Sequence, residues 1–286
     1  ENEYGIWAYY PWINKLVHIL GENEFVEVRT NRNQNKITKE EQKVLKSKKI
    51  GVIGLSVGKS IALTIAMERI CGELVLADFD VIELSNLNRI QTGVHNFGLK
   101  KTIIVAREIA EIDPYLKITC LHDGLTVENV DDFFTKNGNL DVCVEVCDGL
   151  FTKIFAREKA KKFGIPVVMD TNDRGMIDIE RFDLEPNRAL FHNFIEHLNF
   201  ADIGKNSSSE EKIPFVNSII GIDTMSEKLK DSMSEIGKTI TTWPQLASSV
   251  ILGGALTCNV CRRILLNELS DSGRYFVDIN DIIKNN

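Results

Sequence analysis

Two segments of the sequence carry groups suited to binding a nucleotide. The first, GLSVGKS at 54–60, follows an apolar run and opens a stretch with helical spacing. A glycine turn there would let backbone N–H groups face a phosphate, with Gly54, Ser56 and Gly58 lining it. The second begins at Asp78, 24 residues after Gly54, close to the separation of about 20 at which an acidic residue reaches a ribose hydroxyl. Together they predict binding of phosphate and ribose.

The glycine segment matches neither common phosphate-binding pattern. A P-loop requires a glycine at position 53, where Ile53 stands. The G-x-G-x-x-G pattern fails because Ser56 and Lys59 occupy its second and third glycine positions. This segment alone is therefore equally compatible with nucleotide binding and with a plain strand-to-helix turn. Lys59 could instead bring an ammonium group to a phosphate.

The run DFDVIELSNLNR at 78–89 adds carboxylates, an amide and a guanidinium, which suit ribose, Mg²⁺ and phosphate. With the glycine segment before it, and with GLKK at 98–101 and CDG at 147–149 after it, the run resembles the ThiF/MoeB/HesA family. That family shares its adenylating fold with ubiquitin-activating enzymes. The resemblance covers residues 32–183 and, more weakly, 243–266.

The resemblance implies an α/β fold of ThiF type: a Rossmann-like, doubly wound mixed sheet with helices on both faces. It also implies a homodimer or pseudo-dimer, and ATP and Mg²⁺ as cofactors. The reaction would be attack of a substrate carboxylate on the α-phosphate, giving an acyl-adenylate and pyrophosphate. The site residues that it implies are Asp78 for the ribose with Asp80 beside it, Asn86, Arg89 and Lys101 for the triphosphate, and Asp148 for Mg²⁺ and the α-phosphate.

Of these residues, Arg89, Lys101 and Asp148 are the predicted catalytic groups. An in-line displacement at phosphorus mainly needs charge neutralisation and positioning, which two cations and a metal-binding carboxylate supply. The family also has an N-terminal segment that lends an arginine to the partner subunit's ATP. Arg32 is predicted to serve in that role, although Asn35 replaces the second arginine of the segment.

The cysteines predict neither a zinc site nor a thioester. The chain has one C-x-x-C pair, Cys258 and Cys261, whereas a tetrahedral site needs four ligands. Their spacing places both on one apolar face of a late helix at 246–266, so we expect them in the core. The stretch 174–244, where a thioester-forming cysteine would be expected, contains none.

The elements that must position these residues alternate between strand and helix from Lys48 onward, which predicts a parallel sheet covered on both faces. An antiparallel strand at 176–182, a polar loop at 204–212 and a strand at 275–279 follow. We divide the chain into an N-terminal extension, 1–31, and one ThiF-like adenylating domain, 32–286. The segment 170–175, DTNDRG, stands where the resemblance implies a groove for a Gly-Gly tail, and is either an ion-paired loop or a recognition element for another carboxylate.

Composition and net charge restrict the classes of binding partner that the chain could have. With 34 Lys+Arg, 41 Asp+Glu and a net charge of −7, the 286-residue chain is not a basic nucleic-acid coat. We expect a cytoplasmic location, no membrane segment, and a carboxylate-bearing protein or small molecule as substrate. The resemblance implies the C-terminus of a protein or peptide of ubiquitin-like or sulfur-carrier type, as for a ubiquitin-like modifier activating enzyme. The alternatives are a tRNA threonylcarbamoyl-adenosine dehydratase-like enzyme, a catalytically degenerate nucleotide-binding scaffold and a dinucleotide oxidoreductase. Nucleic acid is disfavoured by the charge, but tRNA stays open. Some longer relatives carry a fused nitroreductase-like domain, so the chain could belong to such a fusion.

Overall fold

A computed structural model describes residues 4–198, 209–240 and 243–284. Its strands are β1 (Ile6–Tyr10), β2 (Lys15–Ile19), β3 (Lys49–Ile53), β4 (Glu73–Ala77), β5 (Lys117–Leu121), β6 (Val142–Glu145), β7 (Val167–Asp170), β8 (Met176–Glu180) and β9 (Gly273–Phe276). Its α-helices are α1 (Glu22–Arg29), α2 (Lys39–Lys46), α3 (Gly58–Glu68), α4 (Lys101–Ile112), α5 (Val130–Thr135), α6 (Leu150–Phe163), α7 (Ser209–Ile220), α8 (Glu227–Met233), α9 (Ala247–Leu265) and α10 (Ile279–Ile282).

Seven of these strands form one sheet in the order β5-β4-β3-β6-β7-β8-β9, and β1 and β2 form a separate hairpin. Strands β3 to β7 are parallel, whereas β8 and β9 run antiparallel to their neighbours. The predicted mixed, doubly wound sheet is confirmed. Its order reverses between β3 and β6, and in such sheets ligands bind at the carboxyl ends of the strands beside the reversal.

Alternating side chains of the parallel strands serve two apolar layers. Ile50 and Val52 of β3 pack in a cluster with residues of α3, α4 and α9, whereas Ile53 packs with residues of α5 and α6. Strands covered on both faces need continuous apolar runs, which is why the sequence shows runs here and no alternation. Cys258 and Cys261 are fully buried in the first cluster, as predicted for core residues.

The N-terminal segment is tied to the body through Arg29. Its guanidinium donates to the carbonyls of Met67 and Ala66, at 2.9 and 3.1 Å, and pairs with Asp113 at 2.9 Å. The boundary between residues 31 and 32 stays a prediction. In the described ranges, none of the helices has the length and apolar character needed to cross a bilayer.

Two predictions near the end of the chain need correction. The strand predicted at 275–279 runs instead from Gly273 to Phe276, because the Asp278 side chain accepts the Asn280 N–H at 3.0 Å and starts α10. Of the predicted loop at 204–212, residues 204–208 lie outside the described residues. Residues 209–212 are helical instead, because they form the start of α7 (Ser209–Ile220).

Candidate functional site

The glycine turn lies at the reversal of strand order, and its geometry requires Gly54. This residue has φ +89°, and a Cβ added to it would stand 2.9 Å from the backbone N of Cys147. The turn from β3 thus passes directly against the turn that follows β6. Helix α3 then begins at Gly58, where a Cβ would come within 2.9 Å of Val52 Cγ1. The N–H groups of a helix's first turn have no intrahelical acceptor, so this edge is suited to binding a phosphate.

Asp78, predicted to bind ribose, is 7% exposed and also shapes the glycine turn. One carboxylate oxygen accepts the Leu55 N–H at 2.6 Å, and the other accepts the Asp80 N–H at 2.7 Å. Burial raises the pKa of Asp78, while the nearby Lys101 ammonium opposes that rise. The carboxylate therefore links the ends of β3 and β4, where a nucleotide would lie across the sheet edge.

Arg89 connects the 78–89 run to the glycine turn and to the end of β6. Its Nε donates to Ser56 Oγ at 3.1 Å, and its Nη1 donates to the Ser85 carbonyl at 3.2 Å. Burial lowers the pKa of Arg89, and the charge of Asp148 acts in the opposite direction. Asp148 is exposed and lies three residues after the end of β6. The structure thus brings Gly54, Ser56, Arg89 and Asp148 together.

Lys101 and Asn86 hold the rest of this edge. Lys101, 5% exposed at the start of α4, pairs with the half-exposed carboxylate of Asp80 at 2.7 Å. Asn86 Oδ1 accepts the Glu83 N–H at 3.1 Å, and the Glu83 side chain accepts the Asn86 N–H in return. Asn86 therefore fixes the turn that presents Arg89.

Two residues fall away from this edge. Lys59, considered above as a phosphate ligand, is turned toward α4, where it pairs with Glu108 at 2.6 Å. Arg32 is exposed beside Asn33, whose side chain donates to the carbonyl of Glu68 at the far end of α3. Helix α3 is 11 residues long, which separates Arg32 from the glycine turn of its own chain by roughly 15 Å.

A buried ionic network behind the site was missed by the sequence reasoning. Glu145, fully buried at the end of β6, accepts the Cys147 N–H at 2.9 Å and pairs with Lys153 at 3.1 Å and Arg157 at 2.6 Å. Arg157 also pairs with Glu180 at 2.5 Å. Burial acts to raise the pKa of Glu145, but Lys153 and Arg157 outweigh it and the pKa is lowered. An acidic residue inside the apolar run 141–146 was the available signal.

The network extends to the antiparallel strands. Asp178 of β8 pairs with Arg274 of β9 at 2.8 Å and with His192 at 3.0 Å. Burial would raise the pKa of Asp178, but the His192 hydrogen bond and neighbouring cations lower it. The network therefore couples α6, β6, β8 and β9 below the turn that carries Asp148.

The 170–175 segment is in large part an ion-paired loop. Asp173 accepts hydrogen bonds from the N–H and hydroxyl of Ser226, at 2.9 and 2.6 Å. Arg174 pairs with Asp278 at 2.7 Å and with Asp281 at 2.8 Å. Asp170 is different: it is 4% exposed, and burial raises its pKa to about 7.

The residues at the sheet edge fit a nucleotide. A glycine turn that excludes a Cβ, a helix start, and two cations together suit a triphosphate. Magnesium on a nucleotide is usually held by one or two carboxylates and the phosphates, for which Asp148 suffices. Among the residues that the structure describes, no group of three or more His, Cys, Asp or Glu could hold a metal ion by itself.

Comparison with known sequences places these features in a family. The profile of the ThiF family matches residues 29–237. An uncharacterized protein of Mycobacterium tuberculosis (strain CDC 1551 / Oshkosh) is 45% identical over 274 residues, covering 96% of this chain and 38% of that protein. The tRNA threonylcarbamoyladenosine dehydratase of Bacillus subtilis (strain 168) is 27% identical over 155 residues, covering 54% of this chain and 60% of that protein. The chain thus spans less than two thirds of either relative.

Solved structures share the fold. The E. coli tRNA N6-threonylcarbamoyladenosine dehydratase, TcdA, superposes with a TM-score of 0.61 at 16% identity, covering 85% of this chain and 95% of that one. TcdA has also been crystallised with AMP. E. coli MccB with ATP superposes with a TM-score of 0.56 at 17% identity, covering 84% of this chain and 64% of that one.

Proposed function

The chain belongs to the ThiF family, and we propose that it is an ATP-dependent adenylyltransferase that activates the carboxylate of a protein, peptide or small molecule. A carboxylate oxygen would attack the α-phosphorus of ATP. The new O–P bond gives an acyl-adenylate as the bond to the β-phosphate breaks, and pyrophosphate leaves with the electron pair. The crystals of TcdA with AMP and of MccB with ATP support adenine-nucleotide binding by this fold.

The observation that carries the proposal is the meeting of the glycine turn, Arg89 and Asp148 at the reversal of strand order. Arg89 would neutralise charge on the phosphates from its position against Ser56. Lys101 would act beside it from the start of α4. Asp148, exposed after β6, would hold Mg²⁺, and the metal would neutralise charge on the phosphates when bound.

The partner subunit is part of the proposal. Arg32 is separated from its own glycine turn by the length of helix α3, as described above. If Arg32 contacts a nucleotide, that nucleotide is therefore the one bound by a second copy of the chain. We therefore propose a homodimer in which each chain lends Arg32 to the other. The stretch 174–244 contains no cysteine, so the adenylate is proposed to pass to a nucleophile other than a thiol there.

ATP–pyrophosphate exchange tests the proposal. Exchange should appear when wild-type protein, Mg-ATP and a suitable carboxylate are combined, and Asp148→Asn should reduce it at least a hundredfold. Asp132→Asn is the matched control, because that exposed carboxylate pairs only with Lys136 on the surface of α5 among the described residues. Absence of ATP binding at millimolar concentration would refute the proposed enzyme, whereas ATP binding without exchange on any carboxylate would favour the degenerate nucleotide-binding scaffold. Exchange that survives in Asp148→Asn would refute the site assignment.

A tRNA substrate is the second candidate, because two similar proteins are named tRNA threonylcarbamoyladenosine dehydratases. The net charge of −7 disfavours it. The same assay with a modified tRNA as the carboxylate source distinguishes the two: stimulation by tRNA and by none of the other carboxylates would favour the dehydratase-like enzyme.

A further inference from the structure

The end of β7 and the start of the loop after it contain buried polar atoms for which the described part of the chain provides no hydrogen-bond partner. Asp170 Oδ1 accepts the Asn172 N–H at 2.9 Å. By contrast, Asp170 Oδ2, Thr171 Oγ1 and Asn172 Oδ1 are buried and have no hydrogen-bond partner among the described residues. Buried polar atoms in folded proteins nearly always have a partner. We call these three adjacent residues the acceptor cluster (Asp170, Thr171 and Asn172); among the described residues nothing occupies these three oxygens, which leaves them available to a bound donor group.

The two residues that follow the acceptor cluster are held by side-chain bonds. The bonds of Asp173 to Ser226 and of Arg174 to Asp278 and Asp281, given above, fix the second half of the loop. Asn172 and Arg174 have positive φ angles of 59° and 55°. Such conformations cost free energy, and they persist where the surroundings impose them, often at binding sites. The fixed loop leaves the three atoms oriented by the fold.

The acceptor cluster lies next to the proposed nucleotide site. Val144 of β6 pairs with Val168 of β7, so the same register places Val146 beside Asp170. Neighbouring strands lie about 4.8 Å apart, and the segments at 147–148 and 171–172 therefore leave the sheet side by side. Helix α9 also packs closely on both regions. A Cβ on Gly253 of α9 would overlap Asp170 Oδ2, and one on Gly254 would overlap Ser60 Oγ in the first turn of α3.

The chemistry of the acceptor cluster selects a donor. It offers a carboxylate oxygen, an amide oxygen and a hydroxyl, which together accept hydrogen bonds from a group with several N–H donors. Lys153 attracts the Asp170 carboxylate but is bonded to Glu145, and burial keeps the pKa of Asp170 at about 7. A buried carboxylate is stabilised by a cation that pairs with it.

We propose that the acceptor cluster binds the protonated amino group of a substrate whose carboxylate is adenylated beside Asp148. The substrate would then carry both an amino group and a carboxylate. The amine site is argued from the acceptor cluster itself, whereas adenylation of the carboxylate rests on the proposed function. A substrate without a cationic group would leave the Asp170 carboxylate unpaired, and the site would therefore discriminate against that substrate.

Direct binding tests this without requiring turnover. Amide NMR spectra of the full chain are recorded during titration with glycine, β-alanine and 4-aminobutyrate, and with their deaminated counterparts acetate, propionate and butyrate. At least one amino acid should shift the amides of residues 170–172 saturably, with a Kd at least tenfold below that of its counterpart. Asp170→Asn should abolish that preference, whereas Asp132→Asn should keep it.

ATP affinity measured on the same proteins separates the two proposals. Asp170→Asn should leave the Kd of Mg-ATP unchanged, which also shows that the variant is folded. If no amino acid binds better than its counterpart, or if Asp170→Asn keeps the preference, the acceptor cluster is not an amine site, even where ATP binds. If ATP fails to bind the wild type, the proposed function is wrong, and the amine site is still decided by the titration.

Discussion

Replacing Gly54 by alanine tests whether the glycine turn has the close contact on which the site depends. Two costs add. An L-residue at the φ of +89° costs roughly 1–2 kcal/mol. The new Cβ would stand 2.9 Å from the N and Cα of Cys147 and from the Val146 carbonyl. All three are backbone atoms that must move, and such overpacking costs roughly 1–3 kcal/mol. We therefore expect a loss of about 2–5 kcal/mol in the free energy of unfolding.

Gly138→Ala separates the two costs. Gly138 has φ +107° but open space around its Cα, so it carries the conformational cost alone. Its carbonyl contacts Lys49, at the opposite edge of the sheet from the glycine turn. Urea unfolding should show Gly54→Ala to be less stable than Gly138→Ala by roughly 1–3 kcal/mol. Calorimetry should show ATP binding weakened at least tenfold in Gly54→Ala and unchanged in Gly138→Ala.

Two outcomes would refute the reasoning. Equal stability of the two variants would show that the turn does not press against the segment after β6. Full ATP affinity in a destabilised Gly54→Ala protein would show that the nucleotide lies elsewhere.

Three further predictions concern the residues behind the site. Arg157→Met leaves buried Glu180 without its main cation and buried Glu145 with Lys153 alone, and should cost about 3–5 kcal/mol in urea unfolding, whereas Lys136→Met in an exposed pair should leave the midpoint nearly unchanged; equal effects would contradict this. Between pH 4 and 7, wild-type stability should fall relative to Asp170→Asn by up to about 4 kcal/mol. The reason is that folded Asp170 keeps its proton up to a pKa of about 7 while the unfolded chain loses it near 3.8; parallel stability curves would oppose it. Wild type and Cys147→Ala should both exchange pyrophosphate, and neither should form a thioester, because burial, with the charge of Glu145, raises the pKa of the Cys147 thiol; a reductant-sensitive adduct on wild type alone would contradict it.

The sequence predicts the sheet well because the sheet depends on local patterns, and the same patterns predict which residues meet at the candidate site. Apolar runs mark the parallel strands, and the carboxyl ends of parallel strands meet at one edge. Gly54, Asp78 and Asp148 all follow strand ends, so the fold brings them near one another once the strand order is known. The resemblance supplied that order, which periodicity alone does not give.

The buried network could not be predicted from the sequence, because its members are far apart in the sequence and meet only in the tertiary structure. Arg157 contacts acids 12 and 23 residues away, one of them on a strand whose direction reverses after β7. Lys59 shows the opposite failure. Its place in GKS suggests a phosphate ligand, but one residue into α3 the side chain reaches Glu108 on α4, and the direction of a helical side chain decides its partner.

The charge arrangement bears on the proposed site for a polyanion in this acidic protein. Glu145 lies directly below the turn that carries Asp148, where an unpaired negative charge would repel a triphosphate. Lys153 and Arg157 neutralise it from behind, while its carboxylate fixes the turn through the Cys147 N–H. At the sheet edge itself, Lys101 is paired with the exposed Asp80, and Arg89 lies near the exposed Asp148. The buried network therefore has an electrostatic role in addition to a structural one, since it compensates a buried negative charge beneath the proposed phosphate site of a chain whose net charge is −7.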